Sequence, residues 1–221
     1  MRPEPAEILE ETVSIPAEGA DIEGVLAYPF AGRPASAALV VGPHPLMGGR
    51  PDNNVVRAVG RGLAECGFVT LRFRFGGEGP SAEAMDAFWK TGHAPDDPRR
   101  GDDAEAAYRW FTREHPMPVV AVGYSFGASL LSRLHDKPRT SHLVLIGATL
   151  AQHSYEPLAH SPLPKLVITA DNDFATPLGV TQHWYDQARE PKRLVLIEAA
   201  EHFYRGQEPR LVTEILDWTL I

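Results

Sequence analysis

The pentapeptide Gly123-Tyr124-Ser125-Phe126-Gly127 constrains this chain more than any other stretch. Ahead of it runs Pro118-Val119-Val120-Ala121-Val122, apolar, β-branched and of strand length. Behind it Ala128, Leu130, Leu131 and Leu134 recur at helical spacing up to Asp136, and Pro138 stops the run. A G-x-S-x-G sequence at a strand-to-helix junction predicts a tight turn that lifts the serine hydroxyl above a sheet. The two glycines remove Cβ atoms where strand and helix approach most closely. Ser125 is therefore the candidate nucleophile.

The rest of the chain supplies the sheet that such a turn needs. Strands are expected at 8–15 and 22–28, joined as an edge hairpin through Gly19, and then at 37–41, 68–73, 142–146, 165–170 and 193–197. Helices are expected over 53–66, from Asp102 to His115, over 177–188 and from Glu208 to Ile221. Residues 82–100, rich in Pro and Asp, show no assignable pattern. This alternation predicts one α/β domain spanning 1–221: a mostly parallel, twisted sheet of about eight strands with helices on both faces. Residues 147–164 are too few to hold a separate helical cap.

Composition narrows the function. A net charge of −8 without a basic cluster argues against nucleic-acid binding. The single cysteine, Cys66, permits no intrachain disulfide and is expected to be a buried, inert thiol. No apolar segment near the N-terminus suggests a signal peptide and no apolar run reaches membrane-spanning length, so a cytoplasmic protein without membrane association is expected. No set of His or carboxylates has metal-ligand spacing, and neither a metal nor a cofactor is expected. A homodimer is compatible with the sequence.

In a parallel sheet, ligands bind beyond the carboxyl ends of the strands. Two further loops at that end carry the groups a serine needs, a base and an orienting carboxylate. Asp171-Asn172-Asp173-Phe174 follows one strand, and Glu198-Ala199-Ala200-Glu201-His202-Phe203 follows the last. The order Ser125, Asp173, His202 is the one this turn requires, with Asp171 as the rival acid.

With these landmarks the chain resembles the α/β-hydrolase superfamily over nearly its full length, and within it the small, capless dienelactone-hydrolase-like branch of serine hydrolases. The resemblance rests on Pro43-His44-Pro45-Leu46-Met47-Gly48-Gly49, Asp52-Asn53-Asn54-Val55-Val56, the run from Gly67 to Phe73, the pentapeptide, Asp171-Asn172-Asp173 and Ala200-Glu201-His202-Phe203. It implies Ser125 as nucleophile, His202 as base and Asp173 as its orienting acid. The oxyanion would be held by the N–H of Phe126 and one from the loop after the third strand. Pro45 has no N–H, so Leu46 is the first available donor and Met47 the reserve. His44 is expected to hold its own loop. Two positions depart from the pattern: Gly76 stands where Arg is usual, and Ala199 where Gly is usual.

Met47, Tyr124, Phe174 and Phe203 are expected to wall the substrate pocket, with Met85, Phe88 and Trp89 among the residues that could cover it. Lacking a cation at a motif position, the pocket should take a small to medium, fairly apolar acyl ester or thioester. A non-hydrolytic acyl transferase or cyclase, His-Asp chemistry without an acyl-serine, and a silent binding protein are the alternatives.

Overall fold

The computed structural model describes residues 6–77, 82–91 and 97–219. Eight strands run β1 (Ile8–Ile15), β2 (Ile22–Pro29), β3 (Ser36–Val41), β4 (Phe68–Phe73), β5 (Val119–Tyr124), β6 (Thr140–Ile146), β7 (Lys165–Asn172) and β8 (Lys192–Glu201). Seven helices accompany them: α1 (Asn54–Glu65), α2 (Ala82–Thr91), α3 (Arg99–Glu114), α4 (Phe126–Leu130), α5 (Glu156–His160), α6 (Leu178–Gln187) and α7 (Glu208–Thr219).

The strands form a single sheet in the order β1-β2-β4-β3-β5-β6-β7-β8. β1 and β2 pair antiparallel, and β2 pairs antiparallel with β4. Every other neighbour is parallel. The central strands β4 and β5 are buried throughout, covered on both faces, with Thr70 and Arg72 of β4 as buried polar residues among the apolar ones. Alternation along β5 divides two cores: Val119 and Ala121 face the side covered by α3, while Val120, Val122 and Tyr124 face α1 and α7.

The expected strands and their order are present, and among the described residues no cap domain interrupts the fold. Several helices differ from expectation. The run after the pentapeptide is only five α-helical residues, followed by a 3₁₀ turn over Leu131–Arg133. Ser129 and Ser132 donate their hydroxyls to the Phe126 and Ser129 carbonyls, local bonds of the kind that bend a helix. Part of the unassigned 82–100 segment is helical as α2, and α3 starts at Arg99 rather than Asp102, whose carboxylate instead pairs with Arg133 at 2.7 Å. Cys66, expected buried, is half-buried as the C-cap of α1. Glu78, Gly79, Pro80, Ser81, His93 and the side chain of Trp89 lie outside the described residues.

Candidate active site

Ser125 sits between β5 and α4 with φ 55° and ψ −123°, a conformation that few non-glycine residues adopt. The turn that imposes it leaves no room at its glycines. A Cβ on Gly123 would lie 2.4 Å from the Ala128 Cα, and one on Gly127 would lie 2.3 Å from the Val41 carbonyl oxygen. The Ser125 N–H is tied to the Ile146 carbonyl at 2.8 Å, fixing the turn against β6.

His202 Nε2 lies 2.8 Å from Ser125 Oγ, and His202 Nδ1 lies 2.9 Å from both Asp173 carboxylate oxygens. A carboxylate only accepts, so Nδ1 carries the imidazole proton and Nε2 is left as the acceptor facing the serine hydroxyl. Asp173 is aimed by the N–H groups of Ala175 (2.8 Å) and Thr176 (3.2 Å), both donating to Oδ1. All three residues are buried or nearly so. The rival acid Asp171 is exposed and accepts from the Ala199 and Ala200 N–H groups at 3.0 and 3.1 Å. It staples the loop that carries His202, and those two bonds hold its carboxyl below the usual aspartate range.

Two expectations need correction. Tyr124 does not wall a pocket. It is 1% exposed within the core beneath α1 and α7, because strand alternation sends the residue before Ser125 to that face. Its hydroxyl donates to the His202 carbonyl at 3.0 Å, and burial pushes its pKa well above the tyrosine range. Leu46, the expected oxyanion donor, has its N–H engaged by His44 Nδ1 at 3.1 Å, and the Met47 N–H donates to the His44 carbonyl at 2.7 Å. The loop closes on itself as a 3₁₀ turn over Pro45–Met47 because a histidine two residues before Leu46 can cap it. Phe126 opens α4, where its N–H has no intrahelical acceptor.

Phe174, 63% exposed, lies 5.0 Å from the His202 ring and 5.6 Å from Phe203. Met47 is half-buried on its turn and makes no hydrogen bond to Ser125, His202 or Asp173. Around the Phe126 ring the structure gathers His44 (5.3 Å), His153 (5.4 Å) and the Arg100 guanidinium (5.8 Å). Asn54 was also unforeseen as a support of this end: its Nδ2 donates to the Phe203 carbonyl (2.9 Å) and to Glu208 (2.8 Å). Its sole sequence signal was its place in the Asp52-Asn53-Asn54 helix opening. Among the described residues no group of His, Cys, Asp and Glu is arranged to hold a metal ion.

This sheet order, with a serine at the turn after its fifth strand, defines the chain as having the α/β-hydrolase fold, with no lid among the described residues. In that architecture it matches a lidless α/β serine hydrolase from Xanthomonas campestris, with a TM-score of 0.79, 20% identity and coverage of 96% of this chain and 94% of the other. A dienelactone hydrolase from Anabaena variabilis matches with a TM-score of 0.75, 22% identity and coverage of 96% and 97%. An uncharacterized protein of Rickettsia prowazekii is 26% identical over 84% of this chain and 79% of its own length. No family model matches the chain.

Proposed function

We propose that the protein is a serine hydrolase acting on small to medium, fairly apolar carboxylic esters or thioesters through an acyl-Ser125 intermediate. The observation that carries this reading is the unbroken hydrogen-bonded line from Asp173 through His202 to Ser125. His202 Nε2 takes the Ser125 proton as Oγ attacks the acyl carbon, and Asp173 stabilises the imidazolium that forms. The imidazolium then gives the proton to the leaving alcohol or thiol as its bond to the acyl carbon breaks. Water, deprotonated by the same nitrogen, attacks the acyl-serine, and the acid leaves with Ser125 restored.

The Phe126 N–H donates to the oxyanion that forms. Phe174 and Phe203 provide apolar surface for the substrate beside the base.

Ser125→Ala should lower turnover of a chromogenic acyl ester by at least about 10⁴-fold while leaving the thermal unfolding transition in place. Labelling of the wild type at Ser125 by a fluorophosphonate is expected alongside. Retained turnover in the variant would end the proposal.

A further inference from the structure

Beside the loop that carries Leu46 lies a cavity of about 190 Å³, lined by Arg50, Arg57, Arg72 and Arg74 together with Glu23 and Asp52. The chain carries −8 overall, so four guanidinium groups around one small space are a local reversal of sign. Topology builds it. Arg72 faces Val25 across the β2–β4 ladder and the Arg74 N–H donates to the Glu23 carbonyl, so the two strands present alternate side chains on the α1 side. The segment Arg50–Asp52 then closes the space ahead of α1, whose first turn adds the positive end of a helix dipole.

The charges are only partly neutralised in place. Arg72 is buried; its Nε donates to the Pro51 carbonyl at 3.0 Å, and its Nη1 has no hydrogen-bond partner. Glu10 contacts Arg72 at 2.5 Å but is shared with Arg61 at the same distance. Asp52 pairs with Arg50 at 3.2 Å. Among the described residues neither Arg57 nor Arg74 pairs with a carboxylate, and both are exposed. Counting the pair that shares Glu10, five arginines (Arg50, Arg57, Arg61, Arg72 and Arg74) against three acids (Glu10, Glu23 and Asp52) leave an excess of two positive charges.

We propose that this cavity binds a phosphate group. A phosphate dianion matches the excess charge, offers several acceptor oxygens to forked guanidinium donors, and fits the volume with room for an ester oxygen. The arginine cradle sits at the carboxyl end of β4. That is two strand spacings, roughly 10 Å, from the carboxyl end of β5 where Ser125 stands. A phosphate carried on the leaving group of a thioester and a free phosphate are the two sources. Binding itself is independent of the acyl-serine reading; only the first source rests on it.

The test titrates inorganic phosphate calorimetrically into the Ser125→Ala protein, with and without Arg57→Gln and Arg74→Gln, so that no turnover is needed. The phosphate Kd should rise by at least about tenfold on removing the two exposed arginines, with the phosphate-free melting curve unchanged. Absence of binding at millimolar phosphate, or equal binding by the variant, would overturn the proposal. In the active background, the preference for a coenzyme A thioester over the pantetheine thioester of the same acyl group identifies the source. A preference that falls in the arginine variant marks a substrate-borne phosphate, and one that is unmoved marks a free anion.

Discussion

Ala199 occupies φ 55°, the left-handed region that costs a residue bearing a Cβ about 1–2 kcal/mol. The departure from glycine noted in the sequence therefore falls where the backbone has a physical reason to want glycine. Asp171 holds Ala199 there through two N–H groups, so the position is fixed by its neighbours rather than by its own preference. Ala199→Gly should stabilise the protein by about 0.5–1 kcal/mol, the relief of that strain less the extra entropy glycine loses on folding. A urea midpoint shifted upward at constant slope is the expected measurement. Tyr124 is a residue whose role the sequence misassigned, because its place in the motif says nothing about which face it takes. In the proposed mechanism it is a positioning residue, holding the carbonyl of His202. Tyr124→Phe should lower kcat several-fold with KM little changed, and cost about 1–2 kcal/mol for the carbonyl left unpaired. An equal change in both kinetic constants would argue against positioning.

Elements were legible in proportion to how far their pattern was set by burial on a regular period. β3, β5 and β7 are apolar for most of their length, and β4 is apolar apart from Thr70 and Arg72, so all four could be read directly. The short α4 could not, because apolar spacing is the same for an α-helix and for a helix that tightens after one turn, and the serine bonds that tighten it are tertiary detail. The start of α3 was misread for a similar reason. Asp102 has the chemistry of a cap, yet the residue one position on, Asp103, is the one that works at this junction, accepting the Gly76 N–H at 2.9 Å from inside the protein. Burial raises the Asp103 carboxyl above its usual range, only partly offset by that N–H. A carboxyl raised in the folded state adds stability below its unfolded pKa, near 3.9, and that contribution is lost as pH rises through the folded value. Asp103→Asn keeps an acceptor oxygen for Gly76 but cannot ionise. Its stability relative to wild type should therefore improve between about pH 3.5 and pH 7, and denaturant titrations at those two pH values would read it. A constant difference would mean that Asp103 titrates normally.

At the scale of the whole molecule, the parallel sheet gives its two ends different work. The carboxyl ends of β5, β7 and β8 bring Ser125, Asp173 and His202 together, and this convergence could be read from sequence because each residue directly follows a recognisable strand. The oxyanion loop could not be settled that way, since which N–H is spent on His44 depends on a turn within a Gly- and Pro-rich stretch. The opposite end of the sheet holds the unforeseen Lys165, fully buried at the start of β7. Its ammonium donates to the Ser161 and Leu163 carbonyls at 2.6 and 2.9 Å, and burial holds its pKa below the ordinary lysine range. Nothing in a single Lys before an apolar run distinguishes this role from a solvated strand end. Lys165 lies at the far end of an eight-residue strand, roughly 20 Å of β7 away from the Asp173 loop. Lys165→Met should therefore cost about 1–3 kcal/mol, the price of two orphaned carbonyls, and leave kcat and KM for an acyl ester within about twofold below the melting transition. Unfolding free energy and Michaelis constants measured on the same preparation separate the two ends. If the kinetic constants fell with the stability, loss at the base of the sheet would be reaching the hydrogen-bonded line at its top, and the division of labour between the two ends would fail.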